Sequence, residues 1–230
     1  MSDGAIHTTT HVSSIKMLQA MVGIGIFCAL MIVLTFEFTL PAIEKNKAEA
    51  LEKAIFKVLP GIEAKNSYQL TGDNAFVVNT GEVKEDQMVY AGYNRNGDMV
   101  GLAIEASGMG FADVLKILYG YDLENEKIVG FIVLESKETP GLGDKIEKDQ
   151  KFLENFKALD VSLTEDKSAL KNMVIPVKQG KKENPWEVDC ITGATISSRA
   201  IGNIIGESTQ QLIPIIYKNK EIFVIDTTTQ

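Results

Sequence analysis

The chain has 230 residues, 23 basic side chains against 31 acidic ones and a formal net charge of −8. That length holds one sizeable domain or two small ones, and the acidic balance argues against nucleic-acid binding, which needs a basic patch. With only two cysteines, Cys28 and Cys190, the chain alone lacks the roughly four thiolates of an ordinary iron–sulfur cluster, a structural zinc site is equally disfavoured, and no metal centre is expected.

Residues 1–16 form a short tail that holds both histidines, His7 and His11. The rest of the chain therefore lacks the usual acid–base partner of a nucleophile. Met17 to Phe36, MLQAMVGIGIFCALMIVLTF, is 20 residues without a charge, the length of a bilayer-spanning helix. A cleaved signal peptide is the rival reading. The run exceeds an apolar signal core of about 7–15 residues, and the bulky TFEFTLPAIEK that follows has no clear small-residue cleavage site. A retained anchor is expected. Lys16 before the span and Glu37 and Glu44 after it place the tail in the cytoplasm and the remainder in the periplasm or outside, against the weaker pull of Lys45 and Lys47.

Residues 37–66 read as a juxtamembrane stalk. Ala48, Leu51, Ala54, Ile55, Val58 and Leu59 follow helical spacing, and Pro60-Gly61 ends it. Residues 67–230 form the extracytoplasmic domain. Its first half turns to short strands: NAFVVN, QMVYAGY, DMVGLAIEA, FADVLKILYGY and KIVGFIVLES. The NRNGD segment makes a hairpin, with Asn96-Gly97 able to take positive φ. YAGY running into VGLAIE, and YGY running into VGFIVLE, give a faint internal repeat; related halves and chance likeness both remain open. IEKDQKFLENFKAL and SSRAIGNIIGESTQQL read as helices, and KEIFVIDTTTQ as a strand or a loose tail. The fold class is α+β, a mainly antiparallel sheet flanked by helices and preceded by one N-terminal transmembrane helix.

Three stretches carry candidate chemistry. In DCITGATISSRA a glycine turn runs straight into a helical pattern, with Ser197 and Ser198 as caps or first-turn residues. Helix starts present unpaired N–H groups and a partial positive charge, so they bind phosphate, and Arg199 could add a cation. A threonine hydroxyl there needs no activating base if it accepts a bond made by another enzyme. Taken alone, TGAT is too short to displace the plainer reading, an ordinary turn with hydroxyl capping. In ESKETPGLGDKIE, Pro140 fixes φ and the glycines allow close backbone approach to a flat ligand, with Leu142 projecting; an ordinary turn is the alternative. ASGMGFADVLKI is not a dinucleotide fingerprint, because the third glycine and the βαβ context are missing.

DCITGATISS, preceded in order by a GMGF…LYGYD block and by ETPGLG, resembles the FMN-binding domain of the membrane-bound Rnf and Nqr electron-transfer complexes, above all the G subunit of Rnf. The resemblance covers the anchor and the region from about Ala106 to Gln210. It implies FMN joined through its phosphate to Thr195 by a dedicated flavin transferase, which recognises Thr192, Gly193, Ala194 and the upstream Asp189. It also implies an ETPGLG loop beside the flavin ring, with Glu138, Thr139, Gly141, Leu142 and Gly143, Leu142 packing on it. Ser198 and Arg199 complete the phosphate end. Lys178 is a looser candidate for stabilising reduced flavin, with an exposed lysine as the plainer reading, and Trp186 a looser one for covering an apolar edge, with core packing as the plainer reading. The resemblance implies an electron carrier within a ferredoxin:NAD oxidoreductase that moves ions, with other membrane and peripheral subunits as partners. The C subunit of the sodium-translocating NADH:quinone oxidoreductase and a flavin-free membrane-anchored sensor are the alternatives.

Overall fold

The computed structural model describes residues 14–79 and 87–224. Residues 225–230, the end of the expected C-terminal strand or tail, lie outside them. Helix α1, Ser14–Val58, contains the whole apolar run and continues through Pro41. It is the one described helix long and apolar enough to cross a membrane. Within it Thr35 and Thr39 donate their hydroxyls to the carbonyls of Met31 and Thr35, at 2.7 and 2.9 Å, so neither polar group is left without a partner.

The compact domain begins at Ala50 rather than at Ser67, because Ala54, Ile55, Val58 and Leu59 at the end of α1 are buried in it. A seven-stranded sheet follows in the order β2-β1-β3-β4-β5-β6-β7: β1 (Ala64–Leu70), β2 (Phe76–Val78), β3 (Met88–Tyr93), β4 (Met99–Met109), β5 (Val114–Asp122), β6 (Lys127–Glu135) and β7 (Leu159–Asp160). Every neighbouring pair in it is antiparallel. β8 (Ile175–Val177) and β9 (Glu187–Asp189) form a separate parallel pair.

Alternation divides the sheet into two buried faces. One carries Tyr93, Leu102, Ile104, Ile117, Tyr119 and Tyr121 and joins the core under α4, Thr195–Lys218. The Tyr119 hydroxyl meets that of Ser208 on α4 at 2.8 Å. The other face carries Tyr90, Ala103 and Leu118, covered by the end of α1.

The sequence repeat has a structural basis. β3–β4 and β5–β6 are equivalent hairpins, with Gly92 opposite Gly101 in one and Gly120 opposite Gly130 in the other. These glycines form a furrow under the end of α1. A Cβ at Gly120 or Gly130 would lie 2.3 or 2.4 Å from the Val58 carbonyl oxygen, closer than any side chain can sit.

Three expectations are corrected. The single helix from IEKDQKFLENFKAL is broken into α2 (Lys145–Lys148), α3 (Gln150–Glu154) and a 3-10 turn, Asn155–Lys157. Asp149 is extended at the break and accepts the Phe152 N–H at 3.1 Å, so it caps a new helix rather than continuing the old one. In NRNGD only Gly97 takes positive φ, 86°; the Asn94 side chain closes the turn by accepting from Asn96 and Asp98 N–H at 2.8 and 3.0 Å. The described part of KEIFVIDTTTQ is a 3-10 helix, Lys220–Phe223, rather than a strand. Phe223 is buried edge-on to Tyr68 and Phe76 at centroid distances of 4.9 and 5.0 Å.

Candidate functional site

Strand β9 delivers the chain into the turn Cys190–Ala194. Its Ala194 N–H reaches the Ile191 carbonyl at 3.1 Å, and Gly193 takes φ +83°, a conformation that disfavours any side chain. Ala194 is the N-cap and offers no side-chain oxygen. The N–H groups of Thr195, Ile196 and Ser197 thus occupy the first turn of a 24-residue helix, where no intrahelical acceptor exists. Ser198 points inward: its buried hydroxyl accepts from Ile191 N–H at 3.1 Å and donates to the Ala194 carbonyl at 2.8 Å. Thr195 is exposed, and its hydroxyl makes only a long 3.4 Å contact to the Ile191 carbonyl.

A buried carboxylate assembles the rest. Glu138 is 6% exposed. Its Oε1 accepts the N–H groups of Phe111 and Ala112 at 2.7 and 3.1 Å, and its Oε2 accepts the Ser197 hydroxyl at 2.6 Å. One side chain therefore ties the β4–β5 turn, the Ser136–Asp144 loop and the start of α4 together. The loop curls because the Thr139 carbonyl accepts from Leu142 and Gly143 N–H at 3.1 and 3.0 Å, with Gly141 at φ +78°. Where these segments meet there is a cleft of about 330 Å³, lined by Phe111, Glu138, Thr139, Leu142, Gly143 and residues 193–197. This is the lower end of ligand-pocket volumes. Phe111, Leu142 and Ile196 stand at its edge 62, 54 and 57% exposed.

Charge around the cleft is mostly paired. Lys148 holds Asp144 at 2.5 Å and keeps its carboxyl below the usual carboxylate range. Asn184, with the Glu183 and Asn184 N–H groups, does the same for Glu187 on β9. Burial pushes the Cys190 thiol up, which makes it a poor nucleophile. Among the described residues no cluster of His, Cys, Asp or Glu could hold a metal.

Residues 110–210, which include the whole cleft, match the model of the FMN-binding domain. Over 190 residues the chain is 30% identical to the G subunit of the ion-translocating oxidoreductase complex of Methanosarcina acetivorans, covering 81% of this chain and 87% of that one. The chain belongs to the G-subunit family of these complexes. The G subunit of the Na(+)-translocating ferredoxin:NAD(+) oxidoreductase complex of Acetobacterium woodii is 32% identical over 132 residues, 57% of this chain and 55% of the relative. The crystal structure of the C subunit of the Na(+)-translocating NADH-quinone reductase of Parabacteroides distasonis shares the fold, with a TM-score of 0.56 at 21% identity, covering 81% of this chain and 96% of that one.

In this member of the G-subunit family the structure brings together Glu138, Thr139, Leu142, Gly143, Gly193, Ala194 and Thr195 around one cleft. Gly141 shapes the loop from outside it. Thr192, Asp189, Ser198, Arg199 and Lys178 do not line it. Thr192 donates its N–H to Gln179 Oε1 at 2.9 Å, and the Asp189 carboxylate accepts Gly180 N–H at 2.6 Å, so both pin the turn after β8 onto this segment. Lys178 is exposed in that turn, as the plainer reading had it, and Arg199 is exposed on α4. Trp186 is half-buried beside Pro185 and Lys171, away from the cleft. Glu138 touches backbone and a serine instead of projecting to a ligand.

Phe111 and Ile196 also line the cleft and were not singled out by the sequence. Phe111 follows the GMG turn, whose glycines do not fit a dinucleotide fingerprint; at Gly110 a Cβ would meet Glu138 Oε1 at 2.4 Å. Ile196 breaks the buried helical pattern, and an apolar residue exposed beside a candidate attachment threonine is the signal that could have found it.

Proposed function

We propose that this chain is the electron-transfer subunit of a membrane-bound, ion-translocating ferredoxin:NAD oxidoreductase of the Rnf type, holding FMN by a phosphoester to the Thr195 oxygen. The observation that carries this reading is the exposed Thr195 hydroxyl at the open start of α4, at the edge of an apolar-lined cleft inside the FMN-binding match. The residues present suit the group. First-turn N–H groups and the helix dipole favour a phosphate. The apolar faces of Phe111 and Leu142 suit a flat ring, and Gly143 leaves no room for a side chain, since a Cβ there would lie 2.4 Å from Glu138 Oε2.

FMN supplies the one- and two-electron chemistry when bound. The protein's part is to tether, orient and exclude water. A base beside Thr195 is unnecessary because a separate flavin transferase makes the bond, moving the FMN phosphoryl group from an activated FMN ester to the Thr195 oxygen while the ester's other phosphate leaves and the transferase takes the hydroxyl proton. The other redox centres and the ion path belong to partner subunits: α1 carries no acidic residue in its apolar run, and a lone helix of that kind is a poor ion route.

The test is the full chain made in a host that contains the transferase. A denaturing gel should show a band fluorescent under ultraviolet light, and the intact mass should exceed that of the polypeptide by the attached FMN. A bare mass overturns the reading and leaves the flavin-free alternative. The quinone-reductase alternative shares the fold and the tether, and family membership favours Rnf over it.

In this reading α1 anchors the chain, with residues 1–16 in the cytoplasm and the cleft on the outer side. A cysteine introduced at exposed Asn96 should react with a membrane-impermeant maleimide in intact cells; labelling only after lysis reverses the orientation.

A further inference from the structure

Lys145 opens α2, directly after the Pro140–Asp144 turn. Its Nζ lies 3.6 Å from the point a Cβ on Gly193 would take. It thus reaches from the loop on one side of the cleft to the turn that carries the candidate tether, and glycine at 193 places no side chain between the ammonium and that turn. The lysines around it are matched to acids: Lys148 to Asp144 and Lys137 to Asp113. Among the described residues the Lys145 side chain forms no ion pair and no hydrogen bond. A half-buried lysine without a counter-charge, beside a helix start rich in free N–H groups, is arranged for an anion.

We propose that the Lys145 ammonium is the counter-charge of the FMN phosphate held at Thr195, so that Lys145 is what distinguishes FMN from phosphate-free riboflavin in this cleft. The inference rests on the FMN reading above and adds a residue to it. A phosphate ester keeps a negative charge at neutral pH, and in a partly desolvated site a charge-assisted bond to it is stronger than one between neutral groups. Arg199 is the competing cation. It sits one helical turn beyond Thr195, where its side chain leans back toward that residue, but it is exposed.

The experiment uses the full chain in detergent, produced without the transferase and therefore unloaded. FMN and riboflavin are titrated separately, following quenching of flavin fluorescence. Wild type should prefer FMN. Lys145→Gln should lose FMN affinity by roughly tenfold or more, the value of one charged hydrogen bond, while riboflavin affinity stays unchanged. Lys145→Arg should restore the preference. Equal loss of both ligands in Lys145→Gln would show a structural role and overturn the proposal, as would an unchanged ratio. A ratio lost in Arg199→Gln but kept in Lys145→Gln moves the assignment to Arg199. If wild type binds neither flavin, Lys145 confers no preference and this proposal falls, whereas the FMN reading is decided separately by the intact mass of the chain made with the transferase.

Discussion

Thr195→Ala is expected to give a folded chain with no covalent flavin: the fluorescent gel band disappears and the intact mass falls to that of the polypeptide. The separation between fold and attachment follows from geometry. The Thr195 hydroxyl makes one long contact on an exposed residue, and Ala194 rather than Thr195 occupies the cap position. Removing the hydroxyl should therefore shift stability by less than about 0.5 kcal/mol, the range of ordinary surface changes, and the thermal midpoint should move by no more than about 2 °C. The next two hydroxyls along α4 are poor substitutes. Ser197 is 3% exposed and donates to Glu138, and Ser198 is fully buried. A variant that keeps a full-intensity fluorescent band places the bond on another residue and removes the basis of the functional assignment.

Glu138→Ala should have the opposite profile, with a large loss of stability and a disordered cleft. The substitution strands the N–H groups of Phe111 and Ala112 and the Ser197 hydroxyl, and unsatisfied buried donors cost about 1–3 kcal/mol each. Partial rehydration moderates the sum, so a net loss of about 3 kcal/mol is expected, equivalent to a fall of roughly 10 °C in the thermal midpoint. Glu138→Gln discriminates clamp from charge. Its carbonyl oxygen can still accept from the two backbone N–H groups, and its amide can donate to the Ser197 oxygen, so it should retain most of the stability. If the alanine variant melts with wild type, Glu138 is not the residue that holds the three segments together.

The sheet was readable where burial imposes a pattern. QMVYAGY, DMVGLAIEA and KIVGFIVLES pack against core on at least one face, and their branched and aromatic residues announce it. β1, AKNSYQL, was not, because Tyr68 is its only buried side chain. β8 and β9 are three residues each, too short for alternation to register. The helix break at Asp149 was missed because a single capping side chain overrode an apolar spacing that continues through Phe156. At the site, turn chemistry pointed to a glycine turn opening a helix with Ser197 and Ser198 in its first turn, while Thr195 as the attachment residue came from the family resemblance. The inward aim of Ser198 and the outward aim of Thr195 could not be read, since that depends on which side of α4 meets the sheet. Glu138 was expected at the ligand because its loop is there; its acceptor role depends on a turn 26 residues away in sequence. The reach of Lys145 toward Gly193 likewise joins segments that no local pattern connects.

The glycine furrow bears on how this protein can be handled at the bench. Val58 and Leu59 sit in it as a plug, with Gly92, Gly101, Gly120 and Gly130 as its floor. A water-soluble version trimmed at the first strand would discard that plug and uncover a trench floored by bare backbone and walled by Tyr90, Ala103 and Leu118. Trimming ahead of Ala50 discards the apolar span yet keeps the plug seated, so the sensible place to cut lies inside a helix rather than in a loop.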